Sequence, residues 1–439
     1  MNKKNILDSI KAAIVLESPA RKVSEALEYD SASDTLAVRG RAFSLKGRKV
    51  YICGFGKCAF EMATGAYNSL GSRIDSGLLL SYGEASIDGA ITISRSSHPL
   101  PDENTLLNSR RLVEFAGKAG EEDLLICLVS GGGSSFFEVP AEGVDFNDLI
   151  ALNSSMVRSA MPIAEINIVR KALSAVKGGK FLRHIRSSLI TLAASDTAGS
   201  DPADIASGPT RPCVIDKAAA LEILEKHNII VPHGVTSYLQ GPSDPGCVKC
   251  NLNPNSKNMI FEVIADNASF LNALGGVLKE RCGVKVFITP KFLTGAASGK
   301  NAVEFFVSSI DEIKKEYSKE FIFIAGGEVP VAVKNKNGRG GRCQHFALEI
   351  MKALKDRSAA AGFDKFVFAA FATDGLEAFT NAAGAVFDEK DLSTADLNEI
   401  YSSLNENNSF DFFGKNGGLI VTGATGLNAN DAFIAYCGV

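Results

Sequence analysis

Val50-Tyr51-Ile52-Cys53 runs into Gly54-Phe55-Gly56-Lys57, and Leu124–Val129 runs into Ser130-Gly131-Gly132-Gly133-Ser134-Ser135. Each is a continuous apolar run that breaks off at glycines interleaved with polar side chains. The pattern recurs: Leu189–Ala194 leads to Ser195-Asp196, Phe321–Ala325 to Gly326-Gly327-Glu328, and Phe366–Ala372 to Thr373-Asp374-Gly375. A strand that is apolar at every position, rather than at alternate ones, reads as covered on both faces, as in parallel sheets. In open α/β sheets, ligands bind beyond the carboxyl ends of the strands. Loops that gather Lys, Asp, Glu and bare backbone N–H groups there suit a phosphorylated, metal-bound ligand. The expectation is an enzyme of the α/β class, with two Rossmann-like domains and the active site in the interdomain cleft.

At 439 residues the chain exceeds one ordinary core. Residues 6–28 read as one amphipathic helix, and strand and helix patterns alternate from 50 to about 210. Pro209, Pro212, Pro232, Pro242 and Pro245 then punctuate the chain, and apolar periodicity resumes at Met259. This predicts an N-terminal α/β domain at 1–250 and a C-terminal one at 255–439, the latter opening with the strand Met259–Ala265. A composition of 46% hydrophobic and 22% charged residues excludes the disordered and fibrous classes. A net charge of −4 argues against nucleic acid as the main partner. No apolar run reaches membrane-spanning length, and Met1-Asn2-Lys3-Lys4-Asn5 does not open a signal-peptide core. A cytoplasmic protein with small-molecule partners is expected, with homo-oligomerisation left open. The nine cysteines read as free thiols. Cys247-Val248-Lys249-Cys250 has the spacing of half a zinc site but no second pair to complete it.

The loops then divide by chemistry. Gly54-Phe55-Gly56-Lys57-Cys58-Ala59 approximates the dinucleotide fingerprint, but Asp75 precedes rather than ends the next apolar run, where a ribose-binding acid should stand. Lys57, at a glycine turn beside a helix start, suits a phosphate or carboxylate; the alternative is a solvated lysine. Gly131, Gly132 and Gly133, with Ser130 and Ser134, form a candidate anion nest. Residues 165–179 read as a helix closed by glycines, placing Asn167, Arg170, Ser174 and Lys177 on one face, either a ligand face or a solvated one. Asp196, Asp374 and Glu328 each follow a strand, as metal or base carboxylates of a phosphoryl transfer would, although each also fits a turn or helix cap. Arg339 and Arg342, framed by glycines at a helix start, suit a multi-oxygen anion, the alternative being a flexible basic loop. The loop 421–431, with Asn430, reads as a ligand loop or as turn chemistry. His98, between Ser97 and Pro99, is either a turn histidine or a substrate contact. No Walker A sequence occurs.

Together these segments resemble the glycerate 2-kinase family, whose C-terminal part is the MOFRL domain. The likeness runs through G-F-G-K at 54–57, S-H-P-L-P-D at 97–102, S-G-G-G-S at 130–134 and N-I-V-R-K-A-L-S-A-V-K-G-G at 167–179. It continues in S-D at 195–196, I-A-S-G-P-T at 205–210, G-G-E at 326–328, G-G-R-C-Q at 340–344, T-D-G at 373–375 and T-G-A-T-G-L-N-A-N-D at 422–431. The resemblance implies ATP- and Mg²⁺-dependent phosphorylation of the 2-hydroxyl of D-glycerate, with Lys57 and Arg342 catalytically important. The chain departs from the family at Cys343-Gln344-His345, where Asn-Gln-Glu usually follows the arginine. It departs again at Glu377-Ala378, where the family has a second Asp-Gly, and at Ala172, often a histidine. These departures leave the acceptor acid open. The competing reading is a nicotinamide-dependent hydroxypyruvate reductase, and a third is a non-catalytic sensor of a sugar acid or nucleotide.

Overall fold

The computed structural model describes residues 1–159, 161–196, 204–242, 259–294, 300–356, 364–378 and 380–438; the Cys247–Cys250 pair lies outside them. The chain divides into two compact units, one of Pro19–Ile264 and one of Met1–Ser18 with Ala265–Val439.

In the first unit, β1 (Glu28–Asp30), β2 (Thr35–Val38) and β3 (Arg41–Ser44) form a small antiparallel sheet. The main sheet holds β4 (Val50–Phe55), β5 (Ser76–Ser81), β6 (Ala85–Ile87), β7 (Ile91–Arg95), β8 (Leu124–Val129), β9 (Ser188–Ala194) and β10 (Met259–Ala265). Its order is β10-β9-β8-β4-β5-β7-β6. Strands β4, β5, β7, β8 and β9 run parallel, while β6 is antiparallel to β7. From β4 the chain builds outward through β5 and β7, then returns to place β8 on the other flank of β4. The strand order therefore reverses between β4 and β8, which is where such sheets open a ligand crevice. Both strands are buried at every position. Phe55 pairs with Val129 at their ends, so the two glycine loops emerge side by side.

In the second unit the sheet comprises β11 (Lys285–Ile288), β12 (Leu293–Thr294), β13 (Phe321–Glu328), β14 (Lys365–Ala372), β15 (Gly384–Asp388), β16 (Leu419–Ile420) and β17 (Asp431–Gly438). The order is β11-β13-β17-β14-β15-β16, with β12 against β13. Strand β17 lies between β13 and β14 and is antiparallel to both. This sheet is mixed, so the Rossmann-like expectation of parallel strands holds for the first unit and only in part for the second. A continuous apolar run reports burial on both faces, which β17 has, and says nothing of strand direction.

The boundaries also differ from the sequence reading. Strand β10 lies beside β9 in the first unit's sheet, so the division falls at Ile264–Ala265 rather than between 250 and 255. The N-terminal segment is two helices, Lys3–Leu16 and Pro19–Ala26. Pro19 has no N–H to continue the first helix, and its fixed φ suits the start of a second. Helix Lys3–Leu16 belongs to the second unit, where Ile6, Ile10 and Ala13 pack with Phe270 and Leu274. Among the described residues no helix is long and apolar enough to cross a membrane.

Candidate active site

At the β4/β8 crossing the glycines are required chiefly by protein. Gly54 lies within β4, and a Cβ there would stand 2.6 Å from the Leu128 carbonyl oxygen. Gly56, at φ +127°, leaves no room for one beside Ser130. The Ser130 hydroxyl accepts from the Cys58 N–H at 3.0 Å, and the Lys57 N–H donates to the Gly131 carbonyl at 3.0 Å, lacing the two loops together. Gly54, Gly56 and Ser130 thus build the turn rather than face a ligand. Of the predicted nest, Gly133 N–H is already engaged with the Ser130 carbonyl at 3.1 Å. The Gly131 and Gly132 N–H groups have no acceptor among the described residues, and Gly132 holds the left-handed conformation (φ +75°) that turns the chain back.

Around this turn stand Lys57, His98, Ser134, Asn167 and Arg170. The Ser134 hydroxyl lies 2.8 Å from that of Ser207, which donates to Asn167 Oδ1 at 3.1 Å. Arg170 donates from Nε to Asn153 Oδ1 at 3.0 Å. Neither Lys57 nor Arg170 has a carboxylate at salt-bridge distance among the described residues. Their charges are felt nearby: burial, then Lys57 and Arg170, push His98 down to about 4. Ser207, within the quoted I-A-S-G-P-T segment, was not singled out by sequence. Its neighbour Ala206 and Ser207 itself have positive φ, which presents the hydroxyl at this corner.

Lys177 is reassigned. The predicted helix over 165–179 ends at Leu173, because Ser174 turns extended (φ −98°, ψ 147°) and its hydroxyl accepts from the Val176 and Lys177 N–H groups. The helical face that carried Asn167 and Arg170 therefore stops short of Lys177. Its ammonium is fully buried and paired with Glu138, itself buried, so it is a structural ion rather than a substrate contact.

The second unit gathers its polar groups at one end of its sheet, because the antiparallel β17 begins where β13 and β14 finish. Asp431 pairs in register with Gly327 and Ala372. Arg342, opening the helix Arg342–Asp356, grips the buried Asp431 carboxylate with two bonds, Nε to Oδ2 at 2.6 Å and Nη2 to Oδ1 at 2.7 Å. Glu328 Oε1 is 3.9 Å from Arg342 Nε, and Asn430 Nδ2 donates to Glu328 Oε2 at 3.2 Å. Burial opposes the guanidinium charge, but the Asp431 pair overrides it and holds Arg342 above its usual value. Burial raises Asp431 to about 6 against the pull of Arg342. Glu377 accepts from the Cys343 and Gln344 N–H groups at 2.7 and 3.3 Å, capping the helix. Burial and Asp431 raise Glu377 to about 8. The sequence departure at 377–378 thus keeps a carboxylate, while Ala378 adopts a positive φ (39°) that a glycine would hold more easily.

The glycines before Arg342 serve packing: a Cβ on Gly338, Gly340 or Gly341 would collide with Glu406, Ser409 or Glu377 respectively. The Gly338–Arg342 loop, with Pro330, Val333, His345 and Asn407, borders a cleft of about 320 Å³. The 421–430 segment is held largely by turn chemistry, with Ala429 N–H donating to Thr373 Oγ1 at 2.8 Å and Leu427 N–H to Thr425 Oγ1 at 3.1 Å. Asp196 is half-buried at the end of β9, and Asp374 accepts from the Leu376 N–H at 3.3 Å. Among the described residues no three His, Cys, Asp or Glu side chains cluster to hold a metal.

Comparison with known proteins fits this construction. Residues 5–240 match the model described as a domain of unknown function, DUF4147, and residues 321–431 match the MOFRL family. Glycerate 2-kinase of Pyrococcus horikoshii is 33% identical, over 98% of this chain and 94% of that one. The chain belongs to the glycerate 2-kinase family. D-glycerate 2-kinase of Thermotoga maritima is likewise 33% identical, over 98% of this chain and 97% of its own length. The crystal structure of a glycerate kinase from Thermotoga maritima superposes with a TM-score of 0.82 at 32% identity, over 100% of this chain and 99% of that one. As relatives that carry out phosphorylation, these proteins require a phosphoryl donor.

Proposed function

We propose that this protein transfers the γ-phosphoryl group of ATP to the 2-hydroxyl of D-glycerate, giving 2-phosphoglycerate. The observation that carries the reading is the β4/β8 turn. There, two backbone N–H groups and two cations with no carboxylate at salt-bridge distance among the described residues converge at the point where an α/β sheet opens a ligand site. Lys57 and Arg170 would draw the acceptor's carboxylate and the transferring phosphoryl group, with Gly131, Gly132, Ser134 and Asn167 supplying directed hydrogen bonds. Arg342, fixed by Asp431, would stabilise charge as it spreads over the phosphoryl oxygens. Glu328 and Asn430 would set the far side of that guanidinium. Mg²⁺ takes one or two carboxylates and completes its shell with water and phosphate oxygens, and Asp196 and Asp374 are the carboxylates that would hold it. Bound there, it would neutralise donor phosphate charge.

The test is ADP release from ATP and Mg²⁺, with and without D-glycerate, with the product resolved by NMR. Glycerate-dependent ADP with 2-phosphoglycerate is expected. Reduction of hydroxypyruvate by NADH without ADP formation would replace the reading with the reductase.

A further inference from the structure

Phosphoryl transfer to a hydroxyl needs an atom to receive the hydroxyl proton, and Lys57 and Arg170, both cationic, cannot. His98 can. A Cβ on Gly132 would lie 2.9 Å from His98 Cδ2, 3.2 Å from Nε2 and 3.3 Å from Lys57 Cε, so that edge of the imidazole borders the anion-binding turn. The opposite nitrogen, Nδ1, is 3.5 Å from the Tyr82 hydroxyl. The ring stacks on buried Phe136, with centroids 5.6 Å apart and planes 14° apart. Nε2 has no protein partner among the described residues. In the tautomer that carries its proton on Nδ1, toward the Tyr82 hydroxyl, the lone pair sits on Nε2, facing the site.

We propose that His98 is the proton acceptor of the transfer, an inference that rests on the kinase reading. As the acceptor's hydroxyl oxygen bonds to the γ-phosphorus, the bond from that phosphorus to the bridging oxygen of the nucleoside diphosphate breaks. The hydroxyl proton passes to His98 Nε2 and leaves to solvent after turnover. The charged and titratable groups bearing on the ring are Lys57, Arg170 and Tyr82. Burial first, and then the two cations, keep the imidazole neutral in the free protein. The acceptor's carboxylate and the donor's phosphates offset those charges in the loaded site and so strengthen the base when it is needed.

Two variants decide it. His98→Phe keeps a ring on Phe136 and removes both nitrogens, while His98→Gln returns a hydrogen-bonding group that cannot take the proton. Both should lose about a hundredfold in kcat, with KM for glycerate and the thermal midpoint little changed and the acidic limb of the kcat–pH profile gone. A folded His98→Phe with near wild-type kcat, or wild-type kcat in His98→Gln, overturns the proposal. Should His98→Phe fail to fold, His98→Gln decides alone. A wild type that phosphorylates no hydroxy acid overturns the kinase reading and this role with it, whereas an active wild type beside an active variant removes only His98.

Discussion

The two units treat positive charge in opposite ways. In the first, Lys57 and Arg170 stand at a glycine turn with no carboxylate at salt-bridge distance among the described residues, and burial together with their charge holds His98 low. In the second, Arg342 is locked by two hydrogen bonds to a carboxylate that is itself wholly buried. An uncompensated cation gains most from an arriving anion and contributes little to stability while the site is empty. A compensated one is already oriented, and its removal strands a charge in the interior. The difference separates groups that recognise a ligand from groups held ready for one.

The sharpest break of that contrast is Lys57→Ala. The expectation is a loss of about 10³ in kcat/KM with an unchanged denaturation midpoint; a fully active, folded variant removes Lys57 from the chemistry. Asp431→Asn should damage both properties, with kcat falling and stability dropping by about 3 kcal/mol as the guanidinium loses its buried partner. If denaturant unfolding shows no change, Arg342 is not compensated in the way the geometry indicates. Lys177→Met should cost about 3 kcal/mol or more by stranding Glu138. The double change Lys177→Met with Glu138→Leu should recover most of that stability. Loss of glycerate affinity in the stable double variant would return Lys177 to substrate binding.

The smallest effect is in pH. The unfolded chain's carboxyls release their protons near 4, whereas folded Glu377 holds its proton to about 8 and folded Asp431 to about 6. Between those limits the folded state binds more protons than the unfolded one, so this contribution is fully present below pH 4 and fades as pH rises towards 8. Glu377→Gln should flatten the fall in thermal midpoint between about pH 5 and 8. A slope as steep as that of the wild type would place the titration elsewhere.

Sequence made the strand-end loops legible because burial on both faces leaves an unbroken apolar run, and the glycine turns then stand out against it. It could not give strand direction, which is why β17 and its Asp431 escaped notice as a partner for Arg342. Lys177 was misplaced for a local reason: spacing arguments assume the helix continues, and a serine hydroxyl that captures the next two amides stops it. His98 was visible ahead of Pro99 and Pro101 but ambiguous, since only packing on Phe136 and Gly132 gives the imidazole a direction. The glycines before Arg342 read only as a frame for the two arginines, yet they are small because Glu406, Ser409 and Glu377 press on them.

The central position of β17 has a consequence for how the molecule is made. Chains emerge from the ribosome N-terminus first, so all the residues of the Pro19–Ile264 unit are available before the other unit has its middle strand. Until residues 431–438 appear, β13 and β14 each carry a bare hydrogen-bonding edge, and helix Lys3–Leu16 waits for Phe270 and Leu274 across the length of the whole first unit. Open edges of this kind invite pairing with other chains. The interval between synthesis of β13 and of β17 is therefore when this protein is most exposed to misassembly, and slowing translation there should cost yield before it costs activity.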